Sequence, residues 1–214
     1  MLYDYWRSSA AYRVRIGLNL KALAYESVPI NLLPGKDEQF CKAYRTINPQ
    51  ARVPALKAQA GVLTQSLAIL EWLDETHPLP PFLPSDAWTR AQIRAFALLI
   101  ACDIHSLNNL SVLGRLNVQF AADEEAVGEW YQHWISLGFT TLEAQLAQRP
   151  ETPFAFGDQP TLADICLVPQ MTNARRFKTD LAPFPRLVAV DLCARTHPAF
   201  VRAAPENQMD MPKP

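Results

Sequence analysis

Tyr5-Trp6-Arg7-Ser8-Ser9-Ala10-Ala11-Tyr12-Arg13-Val14-Arg15-Ile16-Gly17-Leu18 is the stretch on which the reading of this chain turns. Ahead of it, Met1 to Tyr5 is short, apolar and aromatic, which suits a strand. Behind it, Ala11, Val14 and Leu18, and then Ile16, Leu20 and Leu23, recur at helical spacing. The stretch is therefore a strand, a tight turn and a helix, with two hydroxyls where the helix starts. Serine there accepts a bond from an orphan backbone N–H and caps the helix. The same helix start carries partial positive charge and unused N–H donors, so it can also hold an anion. Two readings follow: a capped helix and nothing more, or a site that stabilises a thiolate or oxyanion, with Arg7 adding charge.

Outward from this stretch, Tyr25 to Asn31 reads as a second strand, and Pro29 places it at a sheet edge. A loop at Leu33–Asp37 leads to a short helix from Asp37 to Tyr44. Val53-Pro54 precedes a further strand, where a cis bond is an option. Ala55–Lys57 and Val62–Thr64 flank Ala60-Gly61 as a hairpin. Ser66 then suits the N-cap of a helix carrying Leu67, Ile69, Leu70 and Leu73. Strands and helices alternating in this way give a small mixed sheet with helices packed on it. The proline-dense stretch His77–Asp86 is a stiff connector and marks a domain boundary. The predicted domains are residues 1–80 and 87–214.

Beyond the connector only helices are predicted. Ile93, Phe96, Ala97, Ile100, Ile104 and Leu107 define one long helix, and Trp130, Trp134, Leu137, Leu142 and Leu146 another. Gly114–Asp123 reads as a lengthened connection between them. Thr161 and Asp164 form a capping-box pattern that opens a third helix. Pro169 lies inside it, and Arg175-Arg176 lie near its end, where cations suit the dipole. Leu187–Ala194 and Pro198–Ala203 are shorter helices.

Composition excludes several classes. Lys and Arg number 20 against 21 Asp and Glu, so no basic stripe for nucleic acid is expected. The first residues lack the basic and apolar regions of a signal peptide, and no apolar run is long enough to span a bilayer. The four cysteines, Cys41, Cys102, Cys166 and Cys193, form no Cys-x-x-Cys and have no metal-ligand spacing. They read as reduced, mostly buried thiols of a cytoplasmic protein. No G-x-G-x-x-G, phosphate loop or H-E-x-x-H is present.

Ser8-Ser9-Ala10-Ala11-Tyr12-Arg13-Val14-Arg15-Ile16 resembles the signature of zeta-class glutathione transferases, Ser-Ser-Cys-x-Trp-Arg-Val-Arg-Ile. Asn48-Pro49, Val53-Pro54, Gln65-Ser66-Leu67-Ala68-Ile69, Asn109-Leu110-Ser111-Val112-Leu113, Leu167-Val168-Pro169-Gln170 with Asn173-Ala174, and Arg176-Phe177-Lys178 resemble that class too. The resemblance covers nearly the whole chain. It implies the glutathione transferase fold: an α/β thioredoxin-like N-terminal domain followed by an all-α C-terminal domain. The signature cysteine is replaced by Ala10, which leaves the sulfur to be supplied by glutathione.

The resemblance also implies roles. Gln65 and Ser66 would hold the γ-glutamyl carboxylate, Val53 would pair with the cysteinyl backbone beside a cis Pro54, and Gln39 would reach the glycine end. His105, Asn109 and Ser111 would close the site from the helical domain. Ser8 or Ser9, with the backbone N–H of Ala10 or Ala11, would hold the thiolate and lower its pKa from ~8.5. Arg7 and Arg176 would bind substrate carboxylates, since arginine offers bidentate geometry. Taken alone, Ser66 is a cap, Gln39 a surface residue, Asn109 a helix-end residue and Arg176 a helix-end cation. The implied activity is glutathione-dependent cis–trans isomerisation of a small dicarboxylate keto acid in aromatic catabolism, by a homodimer with no metal. Maleylpyruvate is the expected substrate and maleylacetoacetate the alternative. A transferase or dehalogenase that consumes glutathione, and a non-catalytic binding module, are the competing classes.

Overall fold

Proline cannot donate to a β-ladder, and the chain puts Pro29 where that matters least. The computed structural model describes residues 1–212. In it β1 (Leu2–Asp4), β2 (Ser27–Pro29), β3 (Ala55–Ala58) and β4 (Gly61–Thr64) form one sheet in the order β2-β1-β3-β4, with β2 at the edge. β1 runs parallel to β2 and antiparallel to β3, and β3 and β4 form the expected hairpin. The crossover between β1 and β2 is α1 (Ser9–Leu20). α1 is buried from Ala11 to Leu18, and it packs against α3 (Ser66–Thr76). The expected helix at 37–44 divides into a 3-10 turn, Glu38–Phe40, and α2 (Lys42–Ile47). The Val53–Pro54 peptide bond is cis.

The chain falls into two compact units, one made of residues 1–81 with the segment from Thr196 onward, the other of residues 82–195. The second unit is all helical: α4 (Ala87–Leu98), α5 (Leu110–Phe120), α6 (Glu124–Ala147), α7 (Leu162–Arg176) and α8 (Pro185–Ala194). The predicted helical domain runs to residue 214, yet α9 (Pro198–Ala203) groups with the first unit. Two bonds account for this: Arg15 Nε donates to Ala203 O at 2.9 Å, and Asn19 Nδ2 donates to Ala199 O at 3.1 Å. The side chains of α1 thus pull α9 onto the thioredoxin-like unit.

Two other expectations change. The long helix predicted through Leu107 stays α-helical only to Leu98 and then widens into a π-helix at Leu99–Ile104. Ile104 there presses on Gly138 of α6, where an added Cβ would collide with the Ile104 side chain. The stretch expected as a lengthened connection is α5, started by Asn109 as N-cap. No residue of α5 is buried, so it offers none of the periodic core positions that reveal a helix in sequence. Among the described residues, no helix is long and apolar enough to cross a membrane.

The capping box at the start of α7 is present as expected. Asp164 Oδ2 accepts from Thr161 N at 2.8 Å and Thr161 Oγ1 at 3.0 Å, and Oδ1 accepts from Ala155 N at 2.8 Å. Burial nevertheless outweighs these bonds and pushes the carboxyl up to about 6. A carboxyl whose folded pKa is raised costs stability as it ionises. Unfolding free energy should therefore fall as pH rises from about 4 to about 6, by up to roughly 3 kcal/mol from this group. Denaturant melts across that window should show the slope, and Asp164→Asn should remove it.

Candidate active site

Strand register brings the predicted residues of the first unit together. Tyr3 pairs with Ala55 across β1 and β3, so the same register carried two residues further sets Tyr5 opposite Val53. Tyr5 and Val53 lie in one buried cluster with Tyr3, Ile30 and Tyr44, and Trp6 packs against it. Ala55 pairs with Thr64 across β3 and β4, which brings Gln65 to the same sheet end. The turn before α1, the Val53–Pro54 loop and the start of α3 are thereby gathered at one edge of the first unit.

At the start of α1, Ser8 is the N-cap, and its Oγ accepts from Ala11 N at 3.2 Å. Tyr12 N bonds Ser8 O at 2.8 Å. Ala11 N–H is thus committed, and of the two amides weighed for the sulfur, Ala10 N–H is the one left for an anion. The Ser8 hydroxyl keeps its proton to donate while its oxygen caps the helix. Ser9, the first residue of the helix, is buried. Arg7 is half-buried, with its Cζ 6.0 Å from the Tyr5 ring centroid and 5.7 Å from that of Trp6. Those rings steady the guanidinium without neutralising it.

The start of α3 departs from expectation in one detail. Gln65, not Ser66, is the N-cap, with φ 69° and ψ 114°, and no side chain caps the helix. Ser66 is the first helical residue, buried, and its Oγ accepts from Arg13 Nη1 of α1 at 3.4 Å. Gln65 Nε2 donates to Gln50 Oε1 at 2.9 Å. A non-glycine residue at positive φ is strained, and such strain clusters at ligand clamps. Here it sits at the start of α3, whose first N–H groups are unsatisfied by any side-chain cap. Asn48 and Tyr44 hold that loop: Asn48 Nδ2 and Tyr44 OH both donate to Arg52 O, at 2.7 and 2.6 Å.

Gln39, read from sequence alone as a surface residue, is buried in the 3-10 turn. Its Nε2 donates to Asp37 Oδ1 at 3.3 Å, while its Oε1 is buried without a hydrogen-bond partner in the described residues. A buried amide oxygen left so is an acceptor awaiting a donor. The first unit therefore offers what a small peptide with an acidic and an amide end needs: two helix starts, a paired loop backbone and an orphan acceptor. No group of three His, Cys, Asp or Glu side chains among the described residues could hold a metal ion. Of the four cysteines only Cys166 is buried, since Cys41 and Cys102 are exposed and Cys193 is half-buried, which corrects the expectation of mostly buried thiols. None of them lies in the signature stretch.

The second unit holds the remaining predicted residues. His105 follows the π-helix and is half-buried, with its N–H on Ile100 O at 2.9 Å. Widened turns of this kind recur at functional sites. Asn109 is engaged as the N-cap of α5: its Oδ1 accepts from Ser111 N at 3.0 Å, Ser111 Oγ at 2.5 Å and Val112 N at 3.3 Å. The adjacent arginines at the end of α7 separate cleanly. Arg175 Nη2 bonds Asp191 Oδ2 of α8 at 2.5 Å. Arg176 is exposed, its Cζ 4.7 Å from the Phe177 ring centroid.

Sequence reasoning quoted Arg13, Arg15 and Asn48 without giving them roles, and it passed over Asp4. The available signal was two charged side chains in an otherwise apolar helix, where buried arginines require partners.

Residues 2–81 match the family described as Glutathione S-transferase, N-terminal domain, and residues 135–190 match Glutathione S-transferase, C-terminal domain. Over 98% of both chains the sequence is 49% identical to maleylpyruvate isomerase of a Ralstonia species. The solved holo structure of a maleyl pyruvate isomerase, described as a bacterial zeta-class glutathione S-transferase, superposes with a TM-score of 0.95 at 48% identity over 98% of each chain. Maleylacetoacetate isomerase of Methylobacterium extorquens AM1, solved with bound malonate and GSH, gives a TM-score of 0.94 at 37% identity over 99% of each chain.

The two arginines should separate in stability measurements. Arg175→Ala strips a fully buried Asp191 of its cation and should cost roughly 2–4 kcal/mol in denaturant melts. Arg176→Ala, at an exposed position, should change stability by less than about 0.5 kcal/mol.

Proposed function

This chain belongs to the glutathione S-transferase family, and from that premise we propose that it is a glutathione-dependent cis–trans isomerase of a small maleyl keto acid. The preferred substrate is maleylpyruvate, converted to fumarylpyruvate in gentisate-type aromatic catabolism. The observation that carries the reading is a helix start, Ser8-Ser9-Ala10, that pairs serine hydroxyls with an Ala10 N–H outside the cap and contains no thiol of its own. The maleylpyruvate isomerase likeness over nearly the full chain supports the same conclusion.

The residues fit glutathione. The uncommitted Ala10 N–H and the serine hydroxyls suit a thiolate, the start of α3 suits a carboxylate, and the orphan Gln39 Oε1 suits an amide or ammonium donor. When bound, glutathione would supply a thiolate nucleophile for reversible addition to the cis double bond, the chemistry that permits rotation about it. The protein's own work is electrostatic. Ser8, Ser9 and Ala10 N–H stabilise the thiolate against protonation. Arg7 and Arg176 hold carboxylates of the substrate, and a cation beside the conjugated ketone stabilises the negative charge that develops on its oxygen. Val53 would hold the cysteinyl backbone and Gln65 and Ser66 the γ-glutamyl end; His105, Asn109 and Ser111 are the residues of the helical unit that the resemblance assigns to glutathione.

We assign the protein to the cytoplasm and to homodimers on the family resemblance, with glutathione and the keto acid as its small-molecule partners and no nucleic acid or membrane. The alternative substrate, maleylacetoacetate, has the same reacting group with its second carboxylate one methylene further from a ketone. Arg175 is held on Asp191, and Arg176 is the α7 cation we assign to the substrate.

Glutathione should act catalytically: a hundredth of an equivalent should convert all of the cis substrate, followed by ultraviolet absorbance. One turnover per glutathione would instead identify a transferase. Arg176→Ala should raise KM for maleylpyruvate by about 10- to 100-fold, the loss of a charged hydrogen bond. A higher kcat/KM for maleylacetoacetate than for maleylpyruvate in the unmodified protein would reassign the substrate and leave the isomerase chemistry intact.

A further inference from the structure

The turn that precedes α1 has four backbone hydrogen-bonding groups on Tyr5 and Trp6, and each one is bonded. Tyr5 N donates to Asp4 Oδ1 at 2.6 Å. Tyr5 O accepts from Ser8 N at 2.9 Å, closing the turn, and from Arg15 Nη1 at 3.4 Å. Trp6 O accepts from Arg15 Nη2 at 3.0 Å. Trp6 N donates to Asp210 Oδ2 at 2.9 Å, across 204 residues of sequence. Three of these partners belong to the β1–α1 segment itself. The fourth comes from the segment after α9, the helix whose last residue Arg15 holds through Ala203 O.

That segment is built to deliver its carboxylate. After α9 the chain makes a 3-10 turn, Pro205–Asn207. Asn207 Nδ2 donates back to Val201 O at 2.7 Å, and Gln208 Nε2 donates to Arg202 O at 3.0 Å and Ala204 O at 2.8 Å. Met211 N then donates to Gln208 O at 3.2 Å. These bonds fold the segment back along α9 and hold Asp210 half-buried against the turn. Loop closure over so long a separation is entropically costly, so a bond at its end persists only where local contacts already position the segment. Gln208 and Asn207 provide those contacts.

We propose that Asp210 is a positioning residue for the reaction: it clamps the Trp6-Arg7 turn and so fixes the direction of the Ser8-Ser9-Ala10 helix start. The proposal rests on the thiolate role given to that helix start above. Ala10 N–H and the Ser8 hydroxyl point where the turn aims them, and small displacements of such groups cost rate far out of proportion to their cost in stability. The carboxylate acts as an acceptor for Trp6 N–H, so an amide in its place retains the bond and an alanine does not.

The test uses the full-length protein with Asp210→Ala, Asp210→Asn and Gln208→Ala, and it has one readout that needs no glutathione. Amide hydrogen exchange in the free protein should accelerate across Trp6–Ala10 in Asp210→Ala, to a lesser degree in Gln208→Ala, and stay near the wild-type rate in Asp210→Asn. With glutathione and substrate, Asp210→Ala should lower kcat/KM about 10-fold, with the pH profile of kcat displaced to higher pH as the bound thiol becomes less acidic. Asp210→Asn should recover most of that loss. Wild-type exchange at Ser8–Ala10 together with a wild-type pH profile in Asp210→Ala overturns the proposal, and so does a fall in Tm alone. If the unmodified protein turns over no cis substrate, the isomerase reading fails, while the exchange measurement still decides the clamp.

Discussion

A guanidinium with no access to water must be neutralised and bonded where it lies, and the first unit is arranged around one. Arg15 is fully buried in α1, 2.7 Å from Asp4 Oδ1 at the end of β1. Its remaining donors reach Tyr5 O, Trp6 O and Ala203 O. A buried ion pair is weak evidence for stability, because desolvating both partners offsets their attraction. What Arg15 supplies is geometry: the strand end, the turn and α9 meet at a single planar group whose fork cannot be re-aimed. Burial pushes the Asp4 carboxyl up while Arg15 pulls it down, so even the countercharge is held at a cost in free energy. Such a cost is tolerable where the group it fixes must not move.

The chemistry of the first unit is made of backbone as much as side chains. The signature position usually held by cysteine is Ala10, and it is the Ala10 N–H that is left for an anion once Ser8 has capped Ala11. Alanine at this helix start offers no nucleophile, little bulk and good helix propensity. At α3 the strained Gln65 plays the complementary part. It lies at positive φ, and no side chain caps the first amides of the helix. At α3 the sequence gives up a locally optimal helix start, whereas at α1 the Ser8 cap leaves the Ala10 N–H over, and such unsatisfied donors are what an anionic peptide would bind.

How much of this was legible depended on whether the decisive contact was local. Pro29 declares an edge strand, and Thr161 with Asp164 declares a helix start, because each rule acts within a few residues. The β1–turn–α1 reading held for the same reason. Ser66 misled because serine is the better cap, while the cap position is set by Gln65 turning out of the β-hairpin, a tertiary constraint. α5 was missed because it buries nothing, so its helicity rests on the Asn109 cap and propensity rather than on a hydrophobic face. α9 was recognised as a helix and given to the wrong neighbour, since only the Arg15–Ala203 and Asn19–Ala199 bonds decide its partner. The candidate site was visible as a set of motifs matching a family. Composition and periodicity alone would have left Gln39 on the surface and Arg15 without a role.

The end of α7 shows the same division of labour between burial and exposure. Neighbouring residues on a helix point about 100° apart, so Arg175 and Arg176 cannot share a partner. Asp191 of α8 is fully buried, and burial pushes its carboxyl up against the pull of Arg175. An unpaired carboxylate there would be far more costly than the pair, so Arg175 is bound to α8 by the requirements of the fold. Arg176, one position on, faces outward beside the Phe177 ring, which is itself stacked on Tyr131 at 3.5 Å between centroids. The fold thus fixes α7 through one arginine and presents the next from a rigid aromatic base. A cation carried in this way loses little further side-chain freedom when it meets a carboxylate, which is the condition for strong and specific anion binding.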